Sequence, residues 1–194
     1  MSPVVIREAS SDELARVVSV QVLAFGSDPI MRWLYPDAQS YLLYYPAFVE
    51  AFAGRAFEHS TAYVADDFGG AAMWLPPGIH ADAAAVRAVW RDTVEGSVLD
   101  EISAVIEEME RHHIDEPHWY LPMIGVDPSR QGKGMGSALL RHALSKCDEA
   151  SLPAYLEASK PANVPLYERH GFNVVGTIQV GSSPPVFPML RDAR

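Results

Sequence analysis

Ile124-Gly125-Val126-Asp127-Pro128-Ser129-Arg130-Gln131-Gly132-Lys133-Gly134-Met135-Gly136-Ser137-Ala138-Leu139-Leu140 sets a short apolar strand, a glycine-rich turn and the opening of an amphipathic helix in immediate succession. Gly132, Gly134 and Gly136 remove side chains where the chain must turn sharply and where backbone N–H groups must approach a ligand closely. The helix that follows offers its unpaired N–H groups and positive dipole end to the same place. A turn of this kind is suited to an anion, most often a phosphate. The local charge agrees: residues 128–147 hold Arg130, Lys133, Arg141 and Lys146 and no acid, in a chain of net charge −10.

Spacing excludes two common phosphate motifs. A P-loop requires Ser or Thr after its Gly-Lys pair, and Lys133 is followed by Gly134. A dinucleotide fingerprint counted from Gly132 and Gly134 reaches its final glycine position at Ser137. Gln131-x-x-Gly134-x-Gly136 remains.

The chain has 194 residues, 48% hydrophobic and 21% charged, as a soluble globular protein does. That length suits one well-buried domain, and with no repeat or linker a single domain over 1–194 is expected. No run approaches the ~18 apolar residues of a membrane helix. The N-terminus lacks a basic start followed by an apolar stretch, so no secretory signal is expected. A lone cysteine, Cys147, rules out an intrachain disulfide and points to a reducing compartment, the cytoplasm. The acidic balance argues against nucleic acid as a partner.

Along the chain, a strand is predicted over 3–7, then a helix from the capping box Ser10-x-x-Glu13 to about Gly26. Asp28 to Pro36 is an aromatic segment bounded by prolines. A helix over about 40–54, bent at Pro46, precedes a hairpin of strands 61–66 and 70–75. Two helices, 82–95 and 99–113, separate the hairpin from a strand over 118–126. After the glycine turn the helix extends to about Glu149. A strand over 154–158, a short helix over 164–170, and strands over 172–180 and 186–190 complete the order β-α-α-β-β-α-α-β-α-β-α-β-β. The fold class is α/β (α+β): a mixed twisted sheet flanked by helices, with a parallel pair in the β-α-β unit around the turn.

The Gln131-x-x-Gly134-x-Gly136 turn and this element order resemble the GNAT N-acetyltransferase superfamily over nearly the full chain. Two stretches are similar to its puromycin N-acetyltransferase branch. One is His118-Trp119-Tyr120-Leu121 running into the glycine turn. The other is Tyr155-Leu156-Glu157-Ala158-Ser159 leading to Asn163-x-Pro165-x-Tyr167-Glu168-Arg169-x-Gly171-Phe172. The helices 82–95 and 99–113 are an insertion relative to the minimal fold and suggest a covered acceptor site.

The resemblance implies a transferase that moves the acetyl group of acetyl-CoA to an amine, with coenzyme A as co-substrate and no metal. It implies that the pyrophosphate lies on the turn formed by Gln131, Gly132, Lys133, Gly134, Met135, Gly136 and Ser137. The pantetheine arm would then run along Ile124, Gly125 and Val126, bonded also by Asn163, whose alternative role is a helix N-cap. A backbone N–H of the same strand would hold the oxyanion. Tyr167 would be the acid for the departing thiolate, since a phenol with a pKa of about 10 is protonated at pH 7; its alternative role is packing.

The attacking amine must be neutral. An ammonium of pKa about 9 is only ~1% neutral at pH 7, which adds roughly 2.7 kcal/mol to the barrier. Glu157 is the first candidate to take that proton, directly or through water, although it could equally be an ion-paired carboxylate. His118 and Tyr120 alternate onto one face of their strand and are further candidates. Asp28 could meet an acceptor cation or form a turn, and Trp33, Tyr35, Trp74 and Tyr120 could wall the acceptor or pack the core. The partner expected is a small-molecule amine, on a monomer or homodimer, with no membrane. A non-catalytic acyl-CoA sensor and a protein N-terminal or lysine acetyltransferase are the alternatives.

Overall fold

The computed structural model describes residues 3–194. A short strand, β1 (Ile6–Glu8), leads to helix α1 (Leu14–Ala24). The Glu13 carboxylate accepts the Ser10 N–H at 3.0 Å and pairs with Arg7 at 2.7 Å, which fixes the direction in which the chain enters the helix. The aromatic segment contains a helix that composition alone does not announce, α2 (Pro29–Leu34). Asp28 caps it, accepting the Ile30 and Met31 N–H groups at 3.0 and 3.2 Å, with Pro29 at the first helical position. Helix α3 (Ala38–Ala53), capped by Asp37, runs through Pro46.

The hairpin strands β2 (Ala62–Ala65) and β3 (Gly70–Leu75) are buried on both faces. Ala62, Val64, Ala71, Met73 and Leu75 pack toward α1 and α3, while Tyr63, Ala65, Ala72 and Trp74 pack on the other side. This is why both strands read as unbroken apolar runs with no polar alternation. Helices α4 (Ala83–Thr93) and α5 (Gly96–His112) follow and close over the first face. Strand β4 (Trp119–Val126), helix α6 (Met135–Glu149) and strand β5 (Ala154–Ala158) form the β-α-β unit, with α6 covering the second face. The short helix α7 (Val164–Glu168) and strands β6 (Asn173–Val174) and β7 (Phe187–Arg191) end the chain.

Among the described residues the sheet has seven strands in the order β1-β2-β3-β4-β5-β7-β6. All neighbouring pairs are antiparallel except β4 with β5. That parallel pairing covers only Trp119 with Ala154 and Tyr120 with Tyr155. A bulge explains where it stops. Opposite Met73–Leu75, β4 spends one extra residue between Tyr120 and Met123. The extra residue reverses the facing of everything after it: Tyr120 and Met123 both reach the first face, whereas Leu121, Ile124 and Val126 belong to the second. Pro122, which has no N–H to give to a ladder, lies in this bulge. Beyond the bulge β4 pairs with β3 alone, and its side toward β5 is open.

The strand expected over 172–180 forms only in part. Ladder pairing stops after Val174 and returns as a single bridge between Ile178 and Val186. The interrupted stretch packs against α5 instead. A Cβ on Gly176 would lie 2.6 Å from His112 Nε2, so the His112 ring already occupies the space a side chain there would need. A few residues on, the Ser182 N–H and hydroxyl both donate to Glu101 at 2.7 Å, and Trp33 Nε1 donates to the Ser182 hydroxyl at 3.1 Å. These contacts tie the inserted helix to the β6–β7 connection.

Candidate functional site

The glycine turn has the backbone its sequence requires. Gly132 and Gly134 lie at φ +72° and +84°, a region from which a Cβ is normally excluded. Gly134 caps α6, and the first intrahelical bond runs from the Ala138 N–H to its carbonyl at 2.9 Å. The N–H groups before Ala138 are left without helix partners. Gln131 Nε2 donates to the Val126 carbonyl at 3.1 Å, so this side chain ties the turn back to the end of β4.

A cavity of about 440 Å³ opens over this turn, within the range of small-molecule sites. Ile124, Gly125 and Val126 form one wall and Gln131, Gly132, Gly134, Met135, Gly136 and Ser137 its floor. Lys160, Asn163, Leu166, Tyr167 and Arg169 line the opposite side. Lys133 is not in the lining; its ammonium donates to the Ser129 carbonyl at 3.2 Å. The rim is electropositive. His170, held by the Ser137 hydroxyl at 2.7 Å, has its pKa lowered by burial first and then by Arg141, Arg169 and Arg191. A basic recess with free backbone N–H groups suits a phosphorylated ligand.

A second, smaller cavity of about 100 Å³ lies on the first face, roofed by α4 and α5. Phe25, Ile124, Asn163 and Tyr167 line both cavities, so the two meet where β4 and β5 part. Tyr167 is 6% exposed, and its hydroxyl is driven toward the protonated form by burial first and by the charge of Asp28 second. Asp28 itself is buried and accepts from the Ser159 hydroxyl at 2.5 Å; burial raises its pKa. Its geometry is that of a helix cap held at the edge of the larger cavity.

Glu157 lines the smaller cavity with a side chain only 3% exposed. His113 Nε2 stands 3.1 Å from its Oε1, yet that oxygen has no hydrogen-bond partner, so the pair is close but out of line. Tyr120 and Tyr155 flank the carboxylate, and both phenols are held protonated, by burial first and by Glu157 second. His118 completes the group, its ring 5.4 Å from His113 and 5.9 Å from Tyr155. Glu157, His118 and Tyr120, separate candidates for the base in the sequence, thus stand together. His113 and Tyr155 join them without having been singled out. The signal for Tyr155 was its spacing of two from Glu157 on one strand; His113 comes from the distant end of α5, and no local pattern announces it.

Other candidates lie elsewhere. Trp33 lines neither cavity, and its indole is engaged with Ser182. Tyr35 is buried with its hydroxyl at 2.9 Å from Thr93, and Trp74 is fully buried in the second core. Cys147 is buried, and burial pushes its thiol up to about 12, which makes it a packing residue. Among the described residues no group of three or more His, Cys, Asp or Glu side chains is arranged to hold a metal. Arg169 and Lys160 line the larger cavity although the sequence reading did not select them.

The half-buried histidines give a stability prediction. His118, His142 and His170 all have pKa values lowered, burial being the first cause in each. A histidine depressed in the folded state contributes stability above its unfolded pKa of about 6.5, and this is lost as pH falls through the folded value. Asp28, raised by burial, acts in the opposite sense. The melting temperature is therefore expected to hold above about pH 7 and to decline between about pH 6.5 and 5. Thermal melts across that range check this, and a constant melting temperature down to pH 5 would contradict it.

Residues 58–174 match the acetyltransferase (GNAT) domain family. The chain belongs to that family and is an acetyl-CoA-dependent acetyltransferase. An uncharacterized N-acetyltransferase of Schizosaccharomyces pombe is 24% identical over 186 residues, spanning 86% of this chain and 73% of the relative. Among solved structures, one from Corynebacterium glutamicum described as a histone acetyltransferase and related acetyltransferase superposes with TM-score 0.70. It is 25% identical over 100% of this chain and 98% of that one. The polyamine N-acetyltransferase of Drosophila melanogaster, described as forming N-acetylagmatine, has TM-score 0.66 at 16% identity over 98% and 100% of the two chains, a likeness of fold.

Proposed function

We propose that this protein, acting as one domain over its length, acetylates the amine of a small-molecule acceptor by direct transfer from acetyl-CoA in a ternary complex. The observation that carries the reading is the meeting of the two cavities at Ile124, Asn163 and Tyr167. A basic recess and a roofed apolar one that share a wall suit a two-substrate reaction better than a binding module, which needs only the first.

In this reading the coenzyme A pyrophosphate rests on the N–H groups of residues 131–136, and Arg169 and Lys160 add charge from the opposite wall. The pantetheine follows the open side of β4, with Asn163 near its far end, and delivers the thioester to the junction. The amine nitrogen, arriving from the smaller cavity, attacks the thioester carbonyl carbon. A β4 backbone N–H on the open side stabilises the oxyanion; Pro122 has none to offer, and the Met123 N–H faces β3, as the Asp127 N–H four residues on donates to Gly69. The carbon–sulfur bond then breaks, and the Tyr167 hydroxyl donates to the departing thiolate as general acid. Its raised pKa makes any phenolate short-lived. An ammonium loses two protons on becoming an amide, the first to Glu157 before attack and the second, from the nitrogen after attack, restoring the phenol.

Glu157 takes the amine proton. Its unpartnered Oε1 supports this, as does the cluster of His113, His118 and two phenols behind it, a ready route for the proton. Glu157→Gln is expected to lower the rate at neutral pH and to flatten the acidic limb of the kcat/KM–pH profile, with acetyl-CoA affinity unchanged. The exchange is nearly isosteric and removes only the ionisation. A profile of unaltered shape, accompanied by a lower melting temperature, would make Glu157 a structural carboxylate. The whole reading is tested by following free thiol from acetyl-CoA with a panel of small amines.

A further inference from the structure

The walls of the smaller cavity are apolar to an unusual degree for a chain of net charge −10. Phe48 stacks between Tyr45 and Trp90, with ring centroids 5.8 and 5.4 Å away, and Ile102, Val105 and Met109 of α5 complete the roof. Among the described residues, Glu157 is the only acidic or basic side chain lining it. That carboxylate is nine-tenths buried or more and has one oxygen without a hydrogen-bond donor. A buried anion in apolar surroundings is costly until a donor reaches it. Glu157, with His113 at 3.1 Å and two phenols beside it, is the one carboxylate that can meet an ammonium in this cavity, and among the described residues no second carboxylate lines it.

Resting on the function proposed above, we propose that the acceptor is a monocationic primary amine with a slender apolar body, bound in this cavity with its nitrogen at Glu157. The volume of about 100 Å³ limits the body: a cavity of roughly 150 Å³ takes benzene, so on the same scale a linear body of about four carbons fits and a full ring does not. Polyamines and guanidinoalkyl amines are disfavoured, because their second cation would be stripped of water against Phe48, Trp90 and Val105 with no counter-charge.

The test is a matched pair, n-butylamine and 1,4-diaminobutane, which have the same carbon chain and similar ammonium chemistry and differ by one terminal cation. With acetyl-CoA saturating, n-butylamine is expected to have a kcat/KM at least 30-fold higher. Met109→Glu, at a half-buried roof position, adds a second carboxylate and is expected to narrow that ratio at least 10-fold. If this variant does not fold by circular dichroism, Ile106→Glu makes the same change about one turn earlier on the same helix. Equal or better use of the diamine, faster acetylation of a lysine-containing peptide than of n-butylamine, or a ratio unmoved in the folded variant would overturn the proposal. If no amine releases thiol, the transfer reading fails separately. Calorimetry on the coenzyme A complex then decides the acceptor: tighter binding of n-butylamine than of the diamine supports the proposal, and the reverse overturns it.

Discussion

Tyr167→Phe is expected to keep the fold and the acetyl-CoA affinity of the parent while lowering kcat by roughly 10²–10⁴, or about 2.7–5.4 kcal/mol of barrier. Only the hydroxyl is lost. The ring stays in its place between the two cavities, packed near Phe172 at a centroid distance of 6.2 Å. The effect is large because charge gathers on sulfur as the carbon–sulfur bond breaks, so the transition state needs the donor more than the bound thioester does. Single-turnover kinetics with acetyl-CoA preloaded separate this from a binding defect. A variant with parental kcat would show that solvent or another group serves the thiolate, and the role given to Tyr167 would fall.

Gly134→Val is expected to weaken acetyl-CoA binding by at least 100-fold. The change carries two costs. At φ +84° a β-branched residue is strained by about 1–3 kcal/mol. A Cβ at Gly134 meets no protein atom within 4 Å, so its side chain would enter open space beside the cavity that the turn lines, in the proposed path of the pyrophosphate. The strain falls on the free and the bound protein alike and lowers the melting temperature, whereas the obstructed path is felt only on binding, so the loss of affinity comes from the second cost. Unchanged affinity in a folded Gly134→Val protein would remove the pyrophosphate from the turn.

The glycine turn, the capping box, the hairpin and the β-α-β unit were legible because each is written in local pattern: glycine spacing, an Ser-x-x-Glu pair, an apolar period. What was not legible came from long-range contact. The β4 bulge depends on how β4 meets β3, and nothing near Pro122 shows that the facing of Ile124 and Val126 will reverse. The strand expected over 172–180 is interrupted because Gly176 packs on His112, a contact with a helix more than sixty residues earlier in the chain. His113 joins Glu157 in the same way, from the end of an inserted helix. Asp28 had two readings in sequence, and the geometry of α2 gives it the capping role. Trp33 and Trp74 had the residue type of an acceptor wall, but Phe48 and Trp90 lie beside the smaller cavity instead. Aromatic composition does not tell which face of an element will be roofed.

The central claim is that acetyl-CoA and a small amine occupy the two joined cavities together and react directly. Its most direct test is release of free thiol from acetyl-CoA, measured with and without small primary amines and coupled to mass spectrometry of amine and protein. The account predicts thiol release only when an amine is present, one N-acetylamine formed per thiol, and no acetyl group on the protein at any time. Acetyl-CoA binding without amine-dependent thiol release, or an acetylated protein that later passes its acetyl group to the amine, would contradict it.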